Sequence, residues 1–588
     1  MTNSRLLQIF MGILLMTVVG GACVKSGKLK KDESVPIQKP DILLKQCEEN
    51  VGKPRVEKIT DRIWVAIGYD LANVVLIHTD DGNVVVDTGM SPARAAEIKN
   101  AFLTAAPAAP VKAIIYTHSH IDHIGGASVW AEKGAQIWAT DAFLPHFLKQ
   151  YGMFRPSETQ RGLRQFGLRA SLVDLPCSAL GRRIDYEGAT GSGIRLPTNT
   201  FSGTKVLEIG GVKMELVESH GETPDQLIIW IPSEKTVIAA DNFYWTFPNL
   251  YTIRGTSPRP VNDWIRSLDD MRRFAPEHLV PMHTKPIHGQ EEIAKALTDY
   301  RDAIQWVRDE VVRRANRGED IETLAENIKL PPRLADKPYL AQLYGQVDWS
   351  AKGIYTNYLG WFDGRADKLY PMPKLDAARR EITLMGGPQK ILDLADQALQ
   401  MGDARWAVHL LAKLSDSKLA AGDLETALNK KLAQSYMKLA EGIPNTNGRG
   451  YLIESAAEIT QGPANIGAPK VGDEIASNVP IDMIFEIMAT RLDPEKAADV
   501  YESVQFVFPD INKQVTLTIR YGVAEVVEGD PLPGTPDPIA VFTSDSLTYR
   551  RIAMDLEPPA KAFASGKVKV DGSTLKFLKF LDLFQKGV

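Results

Sequence analysis

The hexapeptide His118-Ser119-His120-Ile121-Asp122-His123 sets three imidazoles and a carboxylate directly behind the apolar run from Val111 to Tyr116. That run reads as a buried strand, and Gly125-Gly126 lead into a helical stretch. A chain with this layout must place several ligand-type side chains in one loop at a sheet edge. Only ten histidines occur in 588 residues, and three of them fall here. Crowding them beside an aspartate without a partner would strand polar groups at a strand end. Zinc takes neutral imidazole nitrogen and carboxylate oxygen, usually four donors per ion. The cluster holds more donors than one catalytic ion needs, so the spacing points to a shared two-metal site completed from further along the chain.

Three later segments repeat the layout. The strand Val212 to Val217 runs into Glu218-Ser219-His220-Gly221-Glu222-Thr223-Pro224-Asp225, Thr236 to Ala240 ends in Asp241, and Leu279 to Met282 ends in His283. Apolar strands that end in acids or imidazoles at one sheet edge make a cleft suited to metal. His220 competes with Glu222 as a ligand, but its place two residues early in the loop makes it a neighbour of the ligands instead. His288, in Pro286-Ile287-His288-Gly289, reads as a satisfied loop histidine, and His78 as one packed within a strand.

The rest of the chain supports a multidomain protein. Its length exceeds what a single core serves, and a net charge of −5 with no long basic run gives no reason to expect nucleic acid. Leu6 to Val19 is almost unbroken apolar sequence after Arg5, followed by Gly20-Gly21-Ala22-Cys23. It is short for a membrane span and has the layout of an export signal over residues 1–23. The small residues before Cys23 resemble a bacterial lipoprotein cleavage site, with ordinary cleavage as the alternative. Residues 24–54 read as a polar tether. Cys47 and Cys177 can form at most one bridge, and their separation says nothing about geometry. Strands and helices alternate from Ile59 to about residue 300, including Ile63–Ile67, a hairpin at Asp81-Gly82 and a helix from Pro92 to Leu103. Helical periodicity then takes over in Gln290–Arg317, Pro388–Met401, Ala404–Leu414 and Leu424–Ala440. Strands return in Val504–Phe508, Gln514–Ile519 and Ile539–Phe542, and a helix closes the chain.

Strand-His-x-His-x-Asp-His-x-Gly-Gly, then a Gly-x-Thr-Pro loop, a strand-end Asp and a late His, resembles the metallo-β-lactamase superfamily. Glu222 in Gly221-Glu222-Thr223-Pro224 is similar to the alkylsulfatase branch, as are Asn249-Leu250-Tyr251-Thr252-Ile253-Arg254-Gly255 and Tyr358-Leu359-Gly360-Trp361-Phe362-Asp363-Gly364. The resemblance implies an αβ/βα sandwich over 55–320, a helical dimerisation domain over 321–465 and a sterol-carrier-protein-2-like α+β domain over 466–588. It further implies two Zn²⁺ per chain. His118, His120 and Glu222 would hold one, Asp122, His123 and His283 the other, and Asp241 would bridge. Asp87, in Val86-Asp87-Thr88-Gly89, would support the metal loop by hydrogen bonds. The branch normally carries glutamate at the bridge, so Asp241 shortens the reach by one methylene; Trp245 stands where the branch often has histidine.

The expected activity is zinc-dependent hydrolysis of alkyl sulfate monoesters by metal-activated water, in an exported, periplasmic or lipid-anchored homodimer. Arg254 is suited to clamp sulfate oxygens with its planar fork, with a salt bridge to a site carboxylate as the competing role. Asn249 can donate to an ester or sulfate oxygen, and Asp122 belongs to the catalytic cluster. The rival readings are another dinuclear zinc hydrolase (phosphoesterase, lactonase or β-lactamase) and a non-enzymatic amphiphile-binding lipoprotein.

Overall fold

The computed structural model describes residues 41–184, 193–464 and 473–585. Two sheets form the first half of the chain, each with its strands side by side in chain order. The first holds β1 (Arg55–Lys58), β2 (Ile63–Ile67), β3 (Val74–Thr79), β4 (Gly82–Val86), β5 (Val111–Ile115), β6 (Gln136–Thr140) and β7 (Asn199–Phe201). The second holds β8 (Thr204–Ile209), β9 (Val212–Glu218), β10 (Leu227–Ile231), β11 (Thr236–Ile238), β12 (His278–Val280) and β13 (Ile287–His288).

Strand periodicity sorts the side chains between layers. Ile63, Val65 and Ile67 join Met214, Leu216, Leu227 and Ile229 in the core between the sheets. Trp64 and Ala66 turn the other way, onto Ile98, Phe102 and Trp130 of the covering helices. On the far side Ile228, Val237 and Leu279 pack against Trp264, Leu268, Ile293 and Tyr300 of the helices Val261–Arg273 and Gln290–Ala315. The result is the expected αβ/βα sandwich. Since β4 and β5 run parallel, as do β11 and β12, their C-terminal ends lie at common edges. Those ends deliver Asp87, His118, Asp241 and His283.

The tether expectation is corrected from residue 41 onward. Asp41–Gln46 is a helix that continues as a π-turn through Cys47–Val51, and Leu43 and Val51 are buried beside the Cys47–Cys177 disulfide. Gln46 Nε2 donates to Ala179 O and Trp245 O, both at 2.8 Å. The apolar residues of this short segment are few but face one way, and the disulfide fixes them. The export signal, Cys23 and residues 24–40 lie outside the described residues.

The helices Gly387–Gln400, Ala404–Ser417 and Asp423–Glu441 share a core of Ile391, Leu392, Leu410, Leu411, Leu414 and Leu428. At the Gly402-Asp403 break, the Asp403 side chain caps the second of these by accepting from Trp406 N. Arg449, fully buried, ties this block to the sandwich by donating to Asp174 O and Ala440 O. The last block is a five-stranded sheet, β16 (Val523–Glu528), β15 (Lys513–Arg520), β14 (Tyr501–Phe508), β17 (Pro538–Ser544) and β18 (Val568–Gly572), around Phe485, Phe506, Tyr549 and Phe577. No described helix is long and apolar enough to cross a membrane.

Candidate metal centre

β5 ends at Ile115, and the next residues turn sharply so that His118 is wholly buried and His120 and Asp122 nearly so. The turn needs its two glycines. A Cβ on Gly125 would collide with Met90 O, and one on Gly126 with Thr88 O, so only glycine lets the Asp87 loop close over the histidine loop. Gly221 plays the same part for Glu222, because its missing side chain is where Asn242 Oδ1 sits. Asp87, Ala240 and Thr284 each hold a left-handed backbone, at φ 57°, 50° and 65°. Strain of this kind costs roughly 1–3 kcal/mol per residue and persists where surroundings enforce it. Here it falls on Asp87 itself, directly before Asp241 and directly after His283.

The donors form two groups of three, His118, His120 and Asp241, and Asp122, His123 and His283, with ligand atoms within 4.8 Å of one another in each. Asp241 Oδ2 spans both: it lies 3.7 Å from His118 Nε2, 3.5 Å from His123 Nε2 and 3.0 Å from His283 Nε2. Asp122 Oδ2 lies 3.4 Å from His123 Nε2 and 3.6 Å from His283 Nε2. Glu222 stands beside Asp241 but outside both groups, and its Oε1 pairs with Arg259 Nη1 at 2.5 Å. Its Oε2, together with Asp241 Oδ1 and His123 Nε2, has no hydrogen-bond partner among the described residues. Buried carboxylate oxygens left open beside imidazole nitrogens are the donor chemistry of a dinuclear cation site. The residues present therefore fit the metal that the sequence implies.

Electrostatics agree. Burial pushes Glu222 up to about 7, against the pull of Arg259, with Asp241 adding to the rise. Burial also penalises ionised Asp241, but His283, His123 and His118 outweigh it and hold the carboxyl well below its ordinary range. His118 and His120 are held neutral, first by burial and then by neighbouring rings. For His123 burial works downward, yet Asp241, Asp122 and Asp87 together raise it well above the ordinary value. Asp87 accepts from Thr117 N and Thr117 Oγ1 at 2.8 Å each and pairs with His123 Nδ1 at 2.6 Å, leaving Nε2 to face the centre. His283 is aimed likewise, through Nδ1 at 2.8 Å from Leu71 O.

Beside the donors lies a wall of hydrogen-bond donors. Half-buried Arg254 reaches His120 Nε2 at 3.3 Å, and its own N–H donates to Gln165 Oε1. Asn249 Nδ2, Gln165 Nε2 and Arg259 Nε are buried with no acceptor among the described residues. His220 is drawn away to Glu218 and Asp263, and His288 to Glu57 and His278.

The metallo-beta-lactamase superfamily model matches residues 67–283, alkyl sulfatase dimerisation residues 320–462 and alkyl sulfatase C-terminal residues 470–587. A linear primary-alkylsulfatase of Pseudomonas sp. is 33% identical over 527 residues, covering 87% of this chain and 98% of that protein. The chain belongs to the alkylsulfatase family. An (R)-specific secondary-alkylsulfatase of Pseudomonas sp. is 28% identical over 90% of this chain and 80% of its own length. The solved stereoselective inverting sec-alkylsulfatase Pisa1 from Pseudomonas sp. superposes with a TM-score of 0.84 at 25% identity, over 94% of this chain and 88% of that one.

Within this alkylsulfatase the structure groups six of the seven expected ligand positions, while Glu222 stands beside Asp241 paired with Arg259. Sequence reasoning missed Arg259 and Gln165. The salt bridge to a site carboxylate weighed for Arg254 belongs to Arg259 instead. The signal for Arg259 was its place in Arg254-Gly255-Thr256-Ser257-Pro258-Arg259, a second fixed cation just past the motif.

Proposed function

We propose that this chain hydrolyses alkyl sulfate monoesters to alcohol and sulfate, with His118, His120 and Glu222 holding one Zn²⁺, Asp122, His123 and His283 a second, and Asp241 shared between them. Bound zinc supplies positive charge to the developing oxyanion and brings the acidity of water near neutral pH. The protein's own residues do the rest. Asn249 Nδ2 and Gln165 Nε2 are buried donors without acceptors among the described residues, Arg254 brings a guanidinium to His120, and a sulfate group, which offers only acceptor oxygens, suits such a set. Arg259 fixes Glu222 through Oε1, and Asp87 and Leu71 O fix the rings of His123 and His283. One water is consumed: its oxygen bonds to sulfur or carbon, the ester bond to that atom breaks, and the proton leaves on the products.

The observation that carries the reading is this donor wall set against a cluster of buried carboxylates and imidazoles. The test is zinc-loaded protein assayed on dodecyl sulfate, an aryl phosphate and a β-lactam. Preference for dodecyl sulfate, lost on chelation and restored by zinc, is expected; preference for either other substrate refutes it. Labelled water then reports the bond broken, by whether the label enters sulfate or alcohol.

The same proposal includes export, with Cys23 as the lipid-bearing residue, supported by the N-terminal apolar run and by a disulfide of the kind that oxidising compartments sustain. It also includes a homodimer, supported by the dimerisation match and by Trp361, Tyr370 and Leu384, which are 75%, 93% and 86% exposed.

A further inference from the structure

His146 and Gln150 stand one turn apart on the helix Phe143–Tyr151, which also sends Phe143 and Phe147 into the core. The two polar residues are only 7% and 5% exposed. Yet His146 Nε2 and both amide atoms of Gln150 lack hydrogen-bond partners among the described residues. Opposite them, Asp225 Oδ2 accepts from Ser119 N, inside the histidine loop, at 2.8 Å. The other oxygen, Oδ1, is also unpartnered and lies 3.9 Å from His146 Nε2. Gln150 itself acts on the His146 ring, and the charged groups that act on it are Lys149, Arg254 and Arg259. Burial, reinforced by these cations, pushes the ring down to about 4 and leaves it neutral at pH 7.

The open groups have a definite chemistry. Asp225 Oδ1 and Gln150 Oε1 are acceptors, and neutral His146 both accepts and donates. A sulfate ester's oxygens are themselves acceptors and cannot satisfy the first two; a methylene chain satisfies none. Were the substrate a plain alkyl chain, apolar side chains would serve better on a buried wall beside the sulfate pocket. A hydroxyl group can donate its one proton to Asp225 Oδ1 while its oxygen accepts from His146 Nε2 and Gln150 Nε2, and so meets all three residues.

We propose that His146, Gln150 and Asp225 form a hydroxyl-recognising subsite, and that the preferred sulfate ester carries a free hydroxyl within a few bonds of the ester carbon. This rests on the sulfate-ester reading above. The test compares zinc-loaded, full-length protein on octyl sulfate, 2-hydroxyoctyl sulfate and 2-methoxyoctyl sulfate. The hydroxy ester is expected to exceed both others in kcat/KM by roughly tenfold or more, since its absence leaves buried polar groups unpaired. The methoxy ester, which only accepts, is expected to rank with the plain one. In the double variant His146→Leu/Gln150→Leu, checked for melting temperature and metal content, the preference falls to about one.

The proposal is overturned if wild-type protein ranks the hydroxy ester no higher than octyl or 2-methoxyoctyl sulfate, a result that stands whether or not the variant folds. A folded, metal-loaded variant that keeps the preference overturns it as well. Failure to release sulfate from any of the three esters is a different result: it removes the sulfatase reading, and this inference with it.

Discussion

The Cys47–Cys177 disulfide joins residues 130 apart and is the covalent clamp on the N-terminal helix, so its removal has a calculable consequence. Breaking a cross-link restores loop freedom to the unfolded chain, and for a loop of this size the chain-entropy relation gives about 5 kcal/mol at 25 °C. Engineered bridges return less where strain opposes the gain, so this is an upper figure. For a unit of 150–250 residues each kcal/mol moves the transition by roughly 2–4 °C. The unfolding of the sandwich is therefore expected roughly 10–20 °C lower in Cys47→Ser/Cys177→Ser than in wild type. The third cysteine is best replaced too, in a Cys23→Ser background, to prevent exchange. Calorimetry of zinc-loaded protein, with and without a phosphine reductant, reads the shift, and non-reducing peptide mapping verifies the bridge. The loss should extend to activity below the melting range, because Gln46 on the clamped helix bonds Ala179 O and Trp245 O, and Trp245 N in turn bonds Thr284 next to His283. Transitions within about 2 °C of each other, with equal activity at moderate temperature, would refute the reasoning.

Asp87→Asn removes the charge that orients His123 and should weaken metal binding by roughly 10–100-fold, read by competition with a chromophoric chelator; unchanged affinity counts against that role. Arg259→Met leaves buried Glu222 without its partner, a change worth roughly 3–5 kcal/mol when a buried pair is broken. Metal-free protein should melt lower and bind less zinc per chain, and full occupancy with an unchanged melt would show that Arg259 does not position Glu222. His123 and His283 have pKa values raised above their ordinary 6.5, and each must surrender its proton to bind metal. Affinity should then rise with pH through those raised values and uptake at pH 7 should release protons, which titration calorimetry in two buffers of different ionisation heat detects; identical heats would contradict it. Trp361→Glu with Tyr370→Glu should convert the dimer to monomer in light scattering, and a surviving dimer would place the interface elsewhere.

Most of the sandwich was legible because its strands are short apolar runs that end in ligand-type residues. Polar side chains at those ends mark both the boundary and the chemistry, which is why His118, Asp241 and His283 could be placed by position, whereas Asp87 came only from the family resemblance. The helical block was legible through its 3.6-residue spacing and the Gly-Asp breaks. What stayed hidden depends on contacts between segments far apart. Gln165 ends the amphipathic helix Arg155–Gln165 and carries no motif; its part appears only when Thr252 Oγ1 and Arg254 N are seen to share its carbonyl oxygen. The segment 41–51 was read as tether because eleven mostly polar residues give too little periodicity, and a cysteine 130 residues away announces no distance.

The aspartate at position 241 shows how such hidden terms resolve an apparent misfit. A shorter side chain than the branch's usual glutamate should fall short of one half of the site. Instead Asp241 Oδ2 lies within 3.0–3.7 Å of imidazole nitrogens from both halves. Ala240, at φ 50°, carries the chain inward through a conformation that non-glycine residues adopt at a cost. Met282 N donates to Ala240 O, and Trp264 Nε1 to Asn242 O, so neighbouring elements hold the turn from both sides. Asp241 thus follows a strained turn that the packed helix Val261–Arg273 and the His283 loop keep in place.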